Sequence, residues 1–179
     1  MSRLMLIGGD IMKKKILLAL SCAMLMGASA SMAAPAIHQT ANHETVIGAG
    51  SREAYIEHKF TPKLTVGYSW MDRDEYHDQN DYYAEYDIVG SEVKLLAGYR
   101  DKLPGDKGNA YGGVAISTPK VLGWDFYASY SAGKDFNETQ VGLNKDILLN
   151  VGLNVNYHNF KPDHGSRENG VGAGINVRF

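Results

Sequence analysis

The stretch Val171-Gly172-Ala173-Gly174-Ile175-Asn176-Val177-Arg178-Phe179 decides how the rest of the chain is read. Val171, Ala173, Ile175, Val177 and Phe179 alternate with Gly172, Gly174, Asn176 and Arg178. Successive side chains of a β-strand point to opposite faces, so this segment has one apolar face and one small or polar face. A chain that stops on such a strand, with an aromatic as its last residue, is unusual for a soluble domain. The question is then whether lipid or a protein interior receives the apolar face.

The same period runs back through the chain. Ala54, Ile56, His58 and Phe60 alternate with Glu53, Tyr55, Glu57 and Lys59, and Leu64, Val66, Tyr68 and Trp70 with Thr65, Gly67 and Ser69. Tyr82 to Ile88, Val93 to Tyr99, Ala110 to Ser117, Leu122 to Tyr130 and Thr139 to Leu143 repeat it. Ile147 to Tyr157 is the cleanest long run, eleven residues in which only Leu148 departs from the alternation. Residues 45–49 read as a short first strand of ambiguous facing, with a tight turn at Gly50 and Ser51, and residues 35–44 as a polar, aperiodic lead-in. Turns near Pro62, Gly90, Pro119 and Lys145 are short. The connections near Asp74, Pro104, Lys134 and Asp163 are longer and more polar, with 72–81, 101–109 and 158–169 read as loops. Short and long connections alternate, as they do when antiparallel strands run up and down through a slab.

Composition agrees with an all-β reading: 179 residues fit one domain, 20 are glycine and 11 tyrosine. The front of the chain has the three-part pattern of a secretory signal peptide, with Lys13, Lys14 and Lys15 before an apolar run and then a small-residue region. Residues 1–33 are therefore expected to be removed, by cleavage after Ala33 or Ala30, and residues 1–11 add nothing to that signal. Cys22, the single cysteine, belongs to the leader, which leaves residues 34–179 without disulfide or thiolate chemistry. The leader carries four of the 18 basic and one of the 20 acidic residues, so the remainder has a net charge near −5. That sign argues against nucleic acid as a partner. Beyond Ala34 no run of ~18 apolar residues occurs, so no membrane-spanning helix is expected.

Pooled over the strands, the polar face holds Glu53, Glu57, Lys59, Glu85, Asp87, Lys94, Arg100, Asp125 and Arg178 among Asn, Gln, Ser and Gly. In a soluble lipocalin-like barrel these would point outward; in a membrane barrel they would fill the lumen, and alternation alone does not separate the two. Three features favour the membrane. Tyr68, Trp70, Tyr99, Tyr130 and Tyr157 lie on the apolar face beside the longer connections, where they would form an interfacial girdle. The polar face mixes both charge signs, as a crowded interior requires. The strands are long enough to cross a bilayer at a tilt.

On these residues, and on the closing Gly172 to Phe179, the chain resembles the small outer-membrane β-barrels of the OmpA/OmpX type. The resemblance implies a transmembrane antiparallel up-and-down β-barrel over residues 34–179, in the outer membrane; the alternation over residues 52–60 and the tight turn at Pro62 make it ten strands, or eight if the first two are dropped. It also implies that Ala173, Ile175, Val177 and Phe179 form the signal read by the outer-membrane assembly machinery. Outer-membrane lipids, lipopolysaccharide and periplasmic chaperones are the further partners implied, for a monomer without a cofactor.

No catalytic constellation is expected. Asp72, Asp74, His77 and Asp78 lie together in one hydrophilic stretch and read as solvated, without a metal. His164, Ser166 and Glu168 resemble the residues of the lipid A deacylase family, which would make the chain an outer-leaflet lipid-modifying enzyme, yet they fall in a Pro/Gly-containing loop with nothing to fix their geometry. The mixed charges inside are expected to plug the lumen as an ion-pair network, with a narrow channel as the alternative.

Overall fold

The computed structural model describes residues 36–179 except 106; the leader, Cys22 and the cleavage sites lie outside the described residues. Ten strands follow one another: β1 (Thr45–Gly50), β2 (Glu53–Lys59), β3 (Leu64–Arg73), β4 (His77–Val89), β5 (Val93–Leu103), β6 (Lys107–Ser117), β7 (Trp124–Gly133), β8 (Phe136–Leu148), β9 (Val151–Pro162) and β10 (Glu168–Arg178). Each pairs antiparallel with its sequence neighbours, and β1 closes on β10 from Val46↔Arg178 to Gly50↔Gly174. The result is a closed up-and-down barrel of ten strands, with Thr45 and Phe179 at the same end, here the terminal end.

Closure fixes what faces where. Ile56, Val66, Leu95, Val114, Ile116, Phe126, Val141, Leu153, Val155 and Val171 are exposed on the outer wall. Glu57, Lys59, Glu85, Asp87, Lys94, Arg100 and Asp125 are buried inside. The barrel is therefore apolar outside and charged inside, the reverse of the lipocalin-like arrangement. In β1, whose facing alternation left open, Val46 and Gly48 alternate with Ile47 and Ala49, and Val46 is buried inward.

Several boundaries differ from those read in the sequence. Residues 72–81 are a paired hairpin rather than a loop: Asp72 faces Asp78, Arg73 faces His77, and only residues 74–76 turn. Leu103 likewise faces Lys107, β7 and β8 run to Gly133 and from Phe136, and β9 and β10 leave only residues 163–167 between them. The distal end therefore carries polar strand extensions, not long loops, and the alternation of short and long connections is one of polarity more than of length. β4 and β8 reach 13 residues, while β1 and β2 have only 6 and 7. The turn placed at Asn144 to Asp146 lies instead at residues 149–150, beyond a register shift between Asp146 and Leu148, so the run from Ile147 to Tyr157 spans a hairpin.

Leu122, read as strand, sits in the β6–β7 turn. Val121 and Trp124 exchange both backbone hydrogen bonds at 2.9 Å around it, and Leu122 and Gly123 have φ of 52° and 77°. That is the left-handed two-residue turn that suits the twist of a hairpin, with a bulky residue where Asn or Gly is usual.

Candidate functional site

Among the described residues the interior is where many charged groups are held in fixed geometry, and it is built in tiers along the barrel axis. At the terminal end Lys59 Nζ donates to Asp87 at 2.5 Å, and Lys94 Nζ donates to Glu85 at 2.6 Å. Lys94 also lies 3.6 Å from Asp87. Around the same end Lys120 and Arg178 both donate to Asp146, at 2.8 and 2.5 Å, and Lys120 lies 3.8 Å from Asp125. These pairs join β2, β4 and β5 on one side of the bore and β7, β8 and β10 on the other.

The lead-in runs into the bore from the terminal end. Ala36, Ile37, His38 and Thr40 are buried, and Ala36 and Ile37 pack against Ala115, Tyr127 and Leu96. Asn144 donates to the Ile37 carbonyl at 2.9 Å and Lys94 to the His38 carbonyl at 2.8 Å. His38 Nδ1 is 3.2 Å from Glu57, while the Tyr55 hydroxyl and the Asn176 amide lie 3.1 and 3.3 Å from its Nε2. Nothing in the polar, aperiodic sequence of this segment announced it as buried.

Around and beyond the segment four tyrosines lie across the bore wall, each over the glycine directly opposite on the adjacent strand: Tyr55 over Gly48, Tyr83 over Gly67, Tyr111 over Gly98 and Tyr127 over Gly142. A Cβ at any of these glycines would overlap the ring, so the glycines on the polar face make room for the tyrosines beside them. A cavity of about 30 Å³, lined by Ile37, Asp81, Tyr83, Arg100 and Gln140 among others, separates the segment from the tier above. It has room for roughly one or two waters.

The distal tier is a second ion-pair network. Arg100 donates to Asp81 at 2.7 Å and to Glu138 at 2.6 Å, Arg73 donates to Glu138 at 2.8 Å, and Arg73 lies 3.8 Å from Glu168. Over it Leu103, Phe136 and Phe160 form a buried apolar layer. The guanidinium of Arg73 stands 4.1 Å from the Phe160 ring centre and that of Arg100 4.7 Å from Phe136, so the layer also stacks on the cations that it covers. The bore is thus filled at both ends.

All nine charged residues singled out in the sequence lie in the bore, but in separate groups. Lys59, Glu85, Asp87 and Lys94 form one; Asp125 and Arg178 join Lys120 and Asp146; Arg100 belongs to the distal tier; Glu57 pairs with His38. Glu53 is buried with one carboxylate oxygen lacking a hydrogen-bond partner. The lumen set read from the sequence lacks Arg73, Asp81, Lys120, Glu138, Asp146 and Glu168, the last named there only beside His164 and Ser166. Continuing the period of two past Trp70, and back from Tyr83, would have turned Arg73 and Asp81 inward.

On the outer wall Tyr99, Tyr130 and Tyr157 are about half exposed, Tyr68 and Trp70 partly so, and Tyr82 stands 5.2 Å from Tyr68 in the same belt. In β10 Ala173, Ile175 and Val177 alternate with the inward Asn176 and Arg178, but Ile175 and Val177 are buried, unlike the exposed apolar residues of the rest of the wall, and Phe179 pairs through its backbone with Thr45. His164 and Ser166 are exposed in the β9–β10 loop, whereas Glu168 is buried toward Arg73, so the three are not brought together as an acyl-transfer site. Asp72 and Asp74 face Arg52, and among the described residues no group of three or more His, Cys, Asp or Glu could hold a metal ion. Tyr76, on the β3–β4 turn, donates to the Ser166 carbonyl at 2.6 Å, and desolvation together with the Glu75 carboxylate pushes its phenol above its ordinary value.

Neither a known protein family nor any curated protein sequence matches the chain. Among solved structures it is similar to a designed transmembrane β-barrel, at 13% identity and TM-score 0.37, over 79% of this chain and 100% of that one. OmpF of Salmonella typhi, solved with daunomycin, is 15% identical with TM-score 0.39; the match covers 71% of this chain and 49% of the porin, about half its length. The N-terminal β-barrel domain of OprF from Pseudomonas aeruginosa is 12% identical with TM-score 0.34, covering 76% of this chain and 94% of that domain.

Proposed function

We propose that this chain is a monomeric integral β-barrel of an outer membrane, closed at rest, with a structural or surface-presenting role and no catalysis. The observation that carries this reading is the inversion of the barrel: an apolar outer wall belted with tyrosines around an interior of paired charges. Hydrocarbon can solvate that wall, and the closed ladder leaves no strand edge to lipid. Lipopolysaccharide and the lipids of the inner leaflet are then its surroundings, and the assembly machinery with its chaperones its partners during biogenesis.

The closed state follows from the filling of the bore at both ends. A narrow channel is the second reading, favoured by one feature: Glu53, Glu57, Asp81, Glu85, Asp87, Asp125, Glu138, Asp146 and Glu168 outnumber the lysines and arginines that face them, a bias that would select cations. The test is membrane fractionation with heat-modifiable gel migration, followed by planar-bilayer recording. Recovery in the outer membrane, a temperature-dependent mobility and a silent bilayer are expected. Solubility without detergent would overturn the membrane assignment, and steady conductance the closed one. Lipid A from cells expressing the chain is expected to be unmodified.

A further inference from the structure

The lead-in is attached to the barrel unlike any other segment. Only its last two residues extend the ladder, His43 N donating to the Lys59 carbonyl at 2.9 Å and Lys59 N to the Glu44 carbonyl at 3.0 Å; the ten strands close, β1 to β10, without residues 36–42. It enters the bore through a single reversal, in which Glu44 N donates to the Ala41 carbonyl at 3.1 Å, Ala41 N donates to the Glu44 carboxylate at 2.8 Å and His43 takes a left-handed φ of 63°. Beyond that reversal every polar contact from residues 37–40 is with a barrel side chain or with the Thr118 carbonyl. Lys94 and Asn144 hold two successive backbone carbonyls, and Glu57 accepts from Thr40 at 3.2 Å while facing His38. Gln39 donates to Ser117 and to the Thr118 carbonyl at 3.2 and 2.6 Å. Ala36 and Ile37 fill an apolar patch. Carbonyls held by fixed donors, one cationic or hydrogen-bonding side chain set against a carboxylate, and an apolar seat are the components with which a binding site recognises an extended peptide.

We infer that the terminal half of the bore is a peptide-binding site, and that residues 36–40 are its exchangeable resident ligand. The site takes an extended segment with a small-apolar pair followed by histidine, entering from the terminal end. The covalent tether through residues 41–44 keeps the resident at high effective concentration, so a free peptide of the same sequence competes poorly with it and binds only where it has been removed. The inference deepens the closed-bore reading, because the segment is one of the two closures.

The experiment uses the barrel of residues 34–179, which has no cysteine, with Ala115→Cys as reporter under the segment, and the same protein lacking residues 36–42, both folded in lipid–detergent micelles. Labelling by a small water-soluble maleimide is followed with and without a synthetic peptide of residues 34–42. The intact protein labels slowly, and the shortened one labels faster by at least roughly tenfold, a factor that separates a covered from an open thiol by about 1.4 kcal/mol. The peptide restores protection with a saturable dependence on its concentration. Replacing histidine by alanine in the peptide, or Glu57→Gln in the barrel, weakens that protection roughly tenfold, the loss expected of a buried hydrogen bond to a charged group. Equal labelling of the two proteins, no protection by millimolar peptide, or loss of the heat-modifiable folded form on shortening would each overturn the inference; the last would make the segment part of the folding core. Conductance of the intact barrel would defeat the closed-bore reading alone, leaving peptide protection to be judged separately.

Discussion

At the scale of single residues the bore is governed by the cost of unpaired charge. Arg100 sits between Asp81 and Glu138 and is itself fully buried. Removing one member of such a group leaves the others charged and desolvated, which costs about 3–5 kcal/mol even where a fully apolar replacement of the whole group would be neutral. Arg100→Met is therefore expected to lower the unfolding free energy by that amount in urea titrations of lipid-embedded protein. The triple change that also neutralises Asp81 and Glu138 should recover much of the loss. The tyrosine–glycine pairs make a different demand, one of space. In Gly142→Ala the new methyl meets the Tyr127 ring, and overpacking of this kind costs about 1–3 kcal/mol. Combining it with Tyr127→Leu should return part of that, a coupling that a double-mutant cycle on the same titration measures.

At the scale of elements, the β6–β7 turn holds Leu122 in a conformation that costs a residue with a Cβ about 1–2 kcal/mol relative to one that adopts it freely. Leu122 is almost fully exposed, so little packing offsets that cost. Leu122→Asn is expected to stabilise the barrel by about 1 kcal/mol, read as a higher urea midpoint at unchanged slope. The elements also show where sequence reading succeeds and stops. Between Leu64 and Trp70 the contrast of apolar and polar faces makes the strand, its facing and its inward residues legible. Past Trp70 both faces of β3 turn polar, because a strand that rises beyond the apolar belt meets water outside and charge inside. Asp72 and Arg73 then offer no hydrophobic period, although the backbone alternation continues. At Leu149 and Asn150 the opposite problem arises: apolar residues continue through the turn, so the hairpin is hidden inside what reads as one strand, marked only by the adjacent Leu148 and Leu149. The lead-in has no period at all; the burial of His38 is decided by Glu57, Tyr55 and Asn176, residues brought to it only by closure of the barrel.

For the whole molecule, two unrelated closures lie in series along one bore. The terminal one is a peptide segment held by hydrogen bonds and by the close approach of His38 to Glu57; the distal one is an aromatic layer stacked on two guanidinium groups. Opening either alone leaves the other in place. Deleting residues 36–42, or changing Phe136 and Phe160 to alanine, is thus expected to leave bilayer conductance at baseline. The two together should give discrete openings that favour potassium over chloride, because acidic groups are in excess along the wall. Anion preference in that combined variant would show that the carboxylates do not set the field along the bore.

If the barrel sits in an outer membrane as proposed, with its terminal end inward, the paired hairpins that continue the wall at the distal end give its outward side a rigid relief. An antibody or phage receptor-binding protein approaching it meets neighbouring turns from several hairpins at fixed spacing, not a pliable peptide. Antisera raised against the denatured chain should accordingly stain blots and fail on intact cells, whereas sera against the folded barrel do the reverse.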